Sequence, residues 1–302
     1  MQAGEVKRFL LRLASALTAN RPSQVCLLGG VRLASYLMGV GAGSIVNSSG
    51  EASVLRRLLD LKDRSQLIVF DVGANTGQFL QTGVKVLAGR EFHMHCFEPS
   101  TAAYSALSKT AQGLRDVTLN KVGLGRDKGE RLLFSDKPAS GLASLTKRRI
   151  DHFGIDFSES ETVFIETLDN YCALNGIDHI DLLKLDVEGH ELDVLAGATE
   201  MLRKNAIHFI TFEFGGANID TRTFLQDFHY FFRYHDMRIA RIAPGGFWFE
   251  LDQYREIYEQ FRTTNFVAYL THAELGEREI VRSKDPWQLP GVHRVSKGAP
   301  RD

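Results

Sequence analysis

Residues 67–79, Leu-Ile-Val-Phe-Asp-Val-Gly-Ala-Asn-Thr-Gly-Gln-Phe, constrain the fold more than any other stretch of the chain. Leu67 to Phe70 form an unbroken apolar run. That is the pattern of a parallel strand covered by helices on both faces, whereas a strand with one wet face alternates. Gly73 and Gly77 bracket Ala74, Asn75 and Thr76, and Gln78 to Leu87 reads as a helix, so the order is strand, glycine turn, helix. Without a Cβ, glycine in that context lets backbone N–H groups come close to a ligand at a helix N-terminus. A second apolar segment, Phe92 to Phe97, runs into Glu98 and Pro99. Glu98 lies 21 residues beyond Gly77. That is close to the offset of roughly 20 at which an acidic side chain meets ribose hydroxyls in doubly wound nucleotide folds. The competing reading is an ordinary parallel α/β turn followed by an incidental surface glutamate.

Glycine spacing separates the nucleotide classes. G-x-x-x-G departs from the G-x-G-x-x-G of dinucleotide enzymes, and no G-x-x-x-x-G-K-[ST] is present to hold a triphosphate. Asp71, at the strand's carboxyl end, repels a pyrophosphate and suits a cation, since opposite charges attract strongly in a partly buried cleft. S-adenosylmethionine fits: a ribose for Glu98, no phosphate, and a sulfonium and an ammonium. The candidate cofactor-binding residues are Asp71, Gly73, Ala74, Asn75, Gly77 and Glu98, joined by Asp186 from a second motif.

That second motif is Asp181-Leu-Leu-Lys-Leu-Asp-Val-Glu-Gly-His-Glu191. Its apolar-dominated strand delivers Asp186 to the carboxyl end of a central strand, where open α/β sheets bind ligands. Glu188 and Glu191 follow in the turn, and Glu213 ends the adjoining strand, Ile207 to Phe214. Several carboxylates on neighbouring strand ends repel one another, so at least one has a raised pKa unless a cation shares the site. A general base or a divalent-metal set are both open on that ground. So is a structural role: Lys184 pairing with a carboxylate, or Glu188 and Glu191 stabilising a helix N-terminus. His190, with an ordinary pKa near neutrality, is a candidate proton acceptor or a plain helix-start histidine. The candidate catalytic residues are Asp186, Glu188 and His190; no metal-ligand set is assigned.

Elsewhere the pattern places a helix at Ser100–Gln112, a third strand over Val117–Leu124, and strands at Arg131–Phe134 and Val163–Thr167 around a Ser140–Leu145 loop. Loops inserted at that end of a sheet flank the crevice and carry substrate contacts. The basic triplet Lys147-Arg148-Arg149 reads as a solvated face, with phosphate contact on a substrate as the lesser alternative. A helix runs from the Glu188 turn to about Arg203, and another over Thr221–Tyr234 presents Phe224, Phe228, Phe231 and Phe232 as core. Arg238–Ile242 and Phe266–Leu270 form an antiparallel pair at one edge. Residues 1–66 form a helical extension, with Val54, Leu55, Leu58, Leu59 and Leu61 on one helix face. That extension either caps the cleft or makes a dimer surface. Residues 67–282 form the main domain and 283–302 a mobile tail rich in Pro, Gly and charge.

Composition adds exclusions. With 36 basic and 37 acidic residues there is no global field to attract nucleic acid or acidic lipid, so binding to either would have to be local. Cys26, Cys96 and Cys172 have neither disulfide nor zinc spacing, and Cys96 reads as core. Val6–Leu17 resembles an amphipathic helix more than a secretory signal, and residues 26–42 fall short of a membrane span. The expectation is a cytoplasmic protein without a transmembrane segment, with loose surface association and homo-oligomerisation open.

Together, Phe70–Gly77, Phe97-Glu-Pro99 with Tyr104, Ser140–Leu145, Thr167-Leu-Asp169, Leu183–Leu192 with Leu195 and Gly197, and Glu213 resemble the FkbM-type methyltransferases. The resemblance runs from about Ser49 to Leu270, and the Lys-x-Asp-x-Glu-Gly-x-Glu string is its most specific part. It implies an α/β fold, a doubly wound, seven-stranded, mostly parallel sheet of the Rossmann-like class I methyltransferases. It also implies S-adenosylmethionine as cofactor and O-methylation of a hydroxyl on a saccharide or natural-product acceptor. A non-catalytic nucleotide-binding module in a glycan assembly system is the alternative, and an oxidoreductase is opposed by Asp71 and the glycine spacing.

Overall fold

The computed structural model describes residues 3–43, 50–61, 64–270 and 280–281. Its centre is a sheet of strands β1 (Leu67–Val72), β2 (Phe92–Phe97), β3 (Val117–Asn120), β7 (Ile180–Leu185), β8 (Ile207–Phe214), β9 (Met237–Ile242), β10 (Trp248–Glu250), β11 (Thr264–Leu270) and β12 (Ile280–Val281). The order is β12-β10-β9-β11-β8-β7-β1-β2-β3. From β8 to β3 every neighbouring pair is parallel, while β11 runs antiparallel to both β8 and β9. The order reverses between β1 and β7, which puts a crevice at their carboxyl ends.

Nine strands replace the expected seven. The β9/β11 pair is antiparallel as expected but does not close the sheet, because β10 pairs with β9 and β12 with β10. The expected third strand also divides. Val117–Asn120 pairs with β2, whereas β4 (Gly123–Leu124) crosses to a second sheet of order β4-β6-β5, with β5 at Gly129–Ser135 and β6 at Glu159–Glu166. Gly123 permits the crossing: a Cβ there would lie 2.7 Å from the Ile165 side chain.

Both sheet faces are packed, which is why β1 reads as continuous apolar sequence. On one face Leu67 and Val69 meet α3 (Glu51–Leu58), α4 (Gln78–Val86) and α5 (Thr101–Thr110) through Val54, Leu55, Leu58, Phe79, Leu80 and Leu107. On the other, Phe70 and Val72 belong to a cluster with α6 (Leu168–Asn175), α7 (Glu191–Ala196), α8 (Thr199–Arg203) and α10 (Leu225–Tyr234). Cys96 and Cys172 are buried and Cys26 is exposed.

Two expected helices are broken. The one after Glu188 stops at Gly197, where a Cβ would sit 2.1 Å from the Gly125 carbonyl oxygen, and restarts as α8, whose first N–H groups donate to Asp169. The Thr221–Tyr234 helix is α9 (Ala217–Thr221) and α10, separated by Arg222 at φ +60°. Phe224 lies before α10, its N–H donating to Asp227 at 2.8 Å, so it stands half-exposed while Phe228 and Phe232 are buried. The Ser283 tail lies outside the described residues.

Two further helices, α1 (Ala3–Thr18) and α2 (Arg21–Leu37), precede the domain. Past α2 the chain docks on it: Gly41 and Gly43 donate N–H bonds to the Thr263 carbonyl, and Val40 and Ala42 are buried. No helix among the described residues is long and apolar enough to cross a membrane.

Candidate active site

Two turns at the crevice carry the site. The first, after β1, has three left-handed residues: Gly73 (φ +81°), Asn75 (φ +44°) and Gly77 (φ +90°). Gly73 is there for close approach, since a Cβ would lie 1.9 Å from the Asp186 carbonyl oxygen. Gly77 serves packing, because a Cβ would meet Thr110 and Leu107. Gly73 and Ala74 donate N–H bonds to the Phe97 carbonyl, each at 3.0 Å, which ties the turn to the end of β2. Glu98 completes the tie: one carboxylate oxygen accepts from Asn75 N–H at 2.9 Å and the other from Ser100 N–H at 2.8 Å. Burial pushes Glu98 up to about 7 even against those two donors, with the Asp71 and Glu161 charges adding to the rise.

Asp71 is fully buried and belongs to an ion-pair row across the sheet. Lys184 Nζ lies 3.1 Å from Asp71 Oδ1 and 3.3 Å from Asp186 Oδ2. The pairing follows from register, because Asp71 and Lys184 are Cα partners on β1 and β7. Burial raises the Asp71 pKa and the Lys184 ammonium opposes the rise. Asp71, a candidate cofactor ligand by sequence, borders neither of the cavities described below. Asp186 is the exposed end of the row, with 40% of its side chain accessible.

The second turn, 186–191, is also left-handed, at Glu188 (φ +51°) and Gly189 (φ +98°). Its three candidate carboxylates separate by environment. Glu191 points inward and accepts the N–H groups of Gly189 (3.1 Å) and Val187 (3.3 Å), so it clamps the turn; burial raises it to about 7. Glu188 faces the crevice and pairs with Arg148 at 2.6 Å. Burial and the neighbouring Asp186 charge push Glu188 up to about 8, against the attraction of that guanidinium. His190 has both ring nitrogens engaged, Nδ1 with Asp193 at 2.9 Å and Nε2 with Thr146 Oγ1 at 3.0 Å.

Arg148 was not legible in sequence. It sits between two basic residues that are exposed, as a solvated run requires, yet its own side chain is only 8% accessible and also approaches Asp220 at 3.5 Å. Three consecutive cations carry no periodicity from which to tell the middle one apart. The Ser140–Leu145 loop roofs the crevice, held by Ser144 Oγ donating to the Glu188 carbonyl at 2.8 Å and by a two-bond bridge between Ser144 and Phe134.

Two cavities open under this roof. The smaller, about 80 Å³, runs past Glu98, Pro99, Leu124 and Ile165 to His190. The larger, about 290 Å³, is bounded by Gln78, Phe79, Lys184, Thr211, Glu213 and Asn265, with Gly43 of the N-terminal segment on its wall. They share Gly73, Asn75, Gly141, Asp186 and Glu188. Asn75 Oδ1, Thr211 Oγ1 and Asn265 Nδ2 are buried without a hydrogen-bond partner among the described residues. Buried polar atoms are ordinarily satisfied, so these three mark places where a polar ligand fits. No group of three or more His, Cys, Asp or Glu among the described residues is arranged to hold a metal ion.

Comparison with known proteins identifies relatives of the chain. The 2-O-methyltransferase NoeI of Sinorhizobium fredii is 27% identical over 177 residues, covering 54% of this chain and 70% of that protein. The hexuronic acid methyltransferase AglP of Haloferax volcanii is 24% identical over 165 residues, covering 54% of this chain and 62% of its own length. A crystal structure of a methyltransferase FkbM from Methylobacillus flagellatus superposes with a TM-score of 0.43 at 16% identity, over 74% of this chain and 49% of that one. Residues 71–239, more than half of the chain and inclusive of both turns, match the methyltransferase FkbM domain, and the protein belongs to that family.

Proposed function

We infer that the protein is an S-adenosylmethionine-dependent O-methyltransferase whose acceptor is a saccharide hydroxyl. The observation that carries the reading is the shared wall of the two cavities. Asp186 and Glu188 stand where the groove that runs past Glu98 and Pro99 meets the larger chamber lined by Thr211 and Asn265. The names of the two relatives, a 2-O-methyltransferase and a hexuronic acid methyltransferase, support a sugar acceptor.

The residues fit the cofactor. Glu98 offers a buried carboxylate to ribose hydroxyls, Pro99 and Leu124 offer apolar surface to a base, and Gly73 with Asn75 forms a cradle whose Asn75 Oδ1 awaits a donor. Bound there, the cofactor supplies a methyl group on a positively charged sulfur, which departs as a neutral thioether.

The protein then has two tasks, alignment and removal of one proton. Thr211 Oγ1 and Asn265 Nδ2, unpartnered on the chamber wall, suit the hydroxyl groups of a sugar, and Phe79 offers a ring beside them. The proton of the acceptor hydroxyl passes to a carboxylate at the shared wall. Asp186, accessible and beside the Lys184 ammonium, is the residue assigned that contact. Glu188, held by Arg148, orients the acceptor. His190 is held by Asp193 and Thr146 and positions the roof loop in preference to acting as the base. The 67–270 region carries this chemistry, and the extension contributes Gly43 to the chamber.

Incubation with S-adenosylmethionine labelled in its methyl group and a panel of uronic acid, hexose and deoxyhexose glycosides tests the reading. Label recovered in a saccharide ether, lost in Asp186→Asn, supports it. Failure of every glycoside to accept label while a non-sugar alcohol or phenol does would overturn the acceptor class.

A further inference from the structure

The two N-terminal helices are built unlike the rest of the molecule. In α1, Val6, Phe9, Leu13 and Leu17 recur at helical spacing on one arc, while Lys7, Arg8, Arg12 and Ser15 fall on the remainder. Phe9, Leu13 and Leu17 are 63%, 48% and 68% exposed. In α2 the apolar residues go all the way round, and Val25, Leu28, Val31, Leu33 and Leu37 are each more than half exposed. A helix apolar on every side is ordinarily buried, and single exposed apolar residues are ordinary, but a contiguous set on two helices marks a docking surface.

Charge selects the occupant. Residues 3–38 hold Lys7, Arg8, Arg12, Arg21 and Arg32 against Glu5 alone. Setting those five bases and one acid aside from the chain's 36 and 37 leaves 31 bases and 36 acids, so the positive charge is segregated onto the exposed apolar element. A second copy of the helix pair packed in two-fold symmetry brings like charges together, which disfavours it. An anionic lipid surface accepts both properties at once: apolar side chains enter the boundary of the acyl region and the cations remain among the headgroups. Neither helix is long and apolar enough to cross a bilayer.

We propose that the α1–α2 helix pair is a membrane-surface docking element that binds anionic lipid, independently of the methyl-transfer reading. The segment after α2 is docked on the Thr263 carbonyl through Gly41 and Gly43, and Gly43 lies on the chamber wall.

Flotation of the full-length protein with vesicles tests this. Vesicles of equal parts phosphatidylglycerol and phosphatidylcholine should carry the protein up the gradient, pure phosphatidylcholine vesicles should carry about tenfold less, and molar salt should release it. Phe9→Glu with Leu13→Glu should abolish flotation, and Arg8→Glu with Arg12→Glu should remove the preference for anionic lipid. Both pairs lie on exposed positions and should leave the thermal unfolding of the domain unchanged. Absence of flotation on anionic vesicles overturns the proposal. So does flotation that survives the Phe9/Leu13 exchange, or a sedimenting dimer dispersed by that exchange in a protein that ignores vesicles.

Discussion

The two strand-to-helix turns at the crevice solve one geometric problem with different materials. Both leave a parallel strand through left-handed residues. The turn at 73–77 acts through its backbone, with N–H groups of Gly73, Ala74 and Asn75 donating to Phe97 and Glu98. The turn at 186–191 acts through side chains, distributing three carboxylates among an exposed position, an arginine pair and an internal clamp. A backbone-built turn is rigid and suits a constant ligand; a side-chain-built turn can be retuned, and suits the part of the reaction that handles the acceptor.

The contrast is broken most severely at Gly73. Gly73→Ala places a methyl 1.9 Å from the Asp186 carbonyl at a positive φ. It should cost on the order of 5 kcal/mol in denaturant unfolding, combining steric and conformational strain; a loss below about 1 kcal/mol would show that the two turns are not interlocked. Lys184→Met comes next. It leaves Asp71 buried without its ammonium and should cost about 4 kcal/mol. Retained stability would mean that Asp71 is protonated in the native state.

The fold was readable where physics acts locally. The apolar run at β1, the glycine turn and the Glu98 offset follow from two-sided burial and close backbone approach. The crossing of the chain from β3 to β4 was hidden, because Val117, Leu119, Val122 and Leu124 read as one strand carried across Asn120 and Lys121, and only the Gly123–Ile165 contact shows where it changes sheets. In the site, Glu98, Asp186 and Glu188 were legible from strand-end placement. The burial of Arg148 was not, since it depends on Glu188 and Asp220, 40 and 72 positions away in sequence. Nor were the Thr211 and Asn265 groups on the chamber wall, which single strand positions do not announce. Asp71 reads in sequence as a partner for the cofactor's cationic end, whereas in the structure its cation is Lys184, the carboxylate pairing that the sequence leaves open for that lysine.

A pH series sharpens the comparison. Glu98 is raised to about 7, and ribose hydroxyls need its ionised form as acceptor. Affinity for S-adenosylhomocysteine should therefore be level above that pH and fall about tenfold per unit below it. Glu98→Gln should bind more weakly and flatten the profile. An affinity that rises on acidification would contradict the ribose assignment. The smallest effect is expected at the roof: Thr146→Val frees His190 Nε2 and should lower stability by about 1 kcal/mol or less. It should raise KM for the acceptor more than it lowers kcat; a collapse of kcat with KM unchanged would return His190 to proton transfer.

The division of labour between the turns is tested most directly by calorimetric titration of S-adenosylhomocysteine into the wild-type protein, Glu98→Ala and Asp186→Asn, beside a methyl-transfer assay. Glu98→Ala should lose roughly thirtyfold in affinity, the equivalent of about 2 kcal/mol of charge-assisted hydrogen bonding. Asp186→Asn should bind as the wild type does and lose methyl transfer by roughly a hundredfold or more. Wild-type affinity in Glu98→Ala together with lost binding in Asp186→Asn would contradict the account and exchange the roles of the two turns.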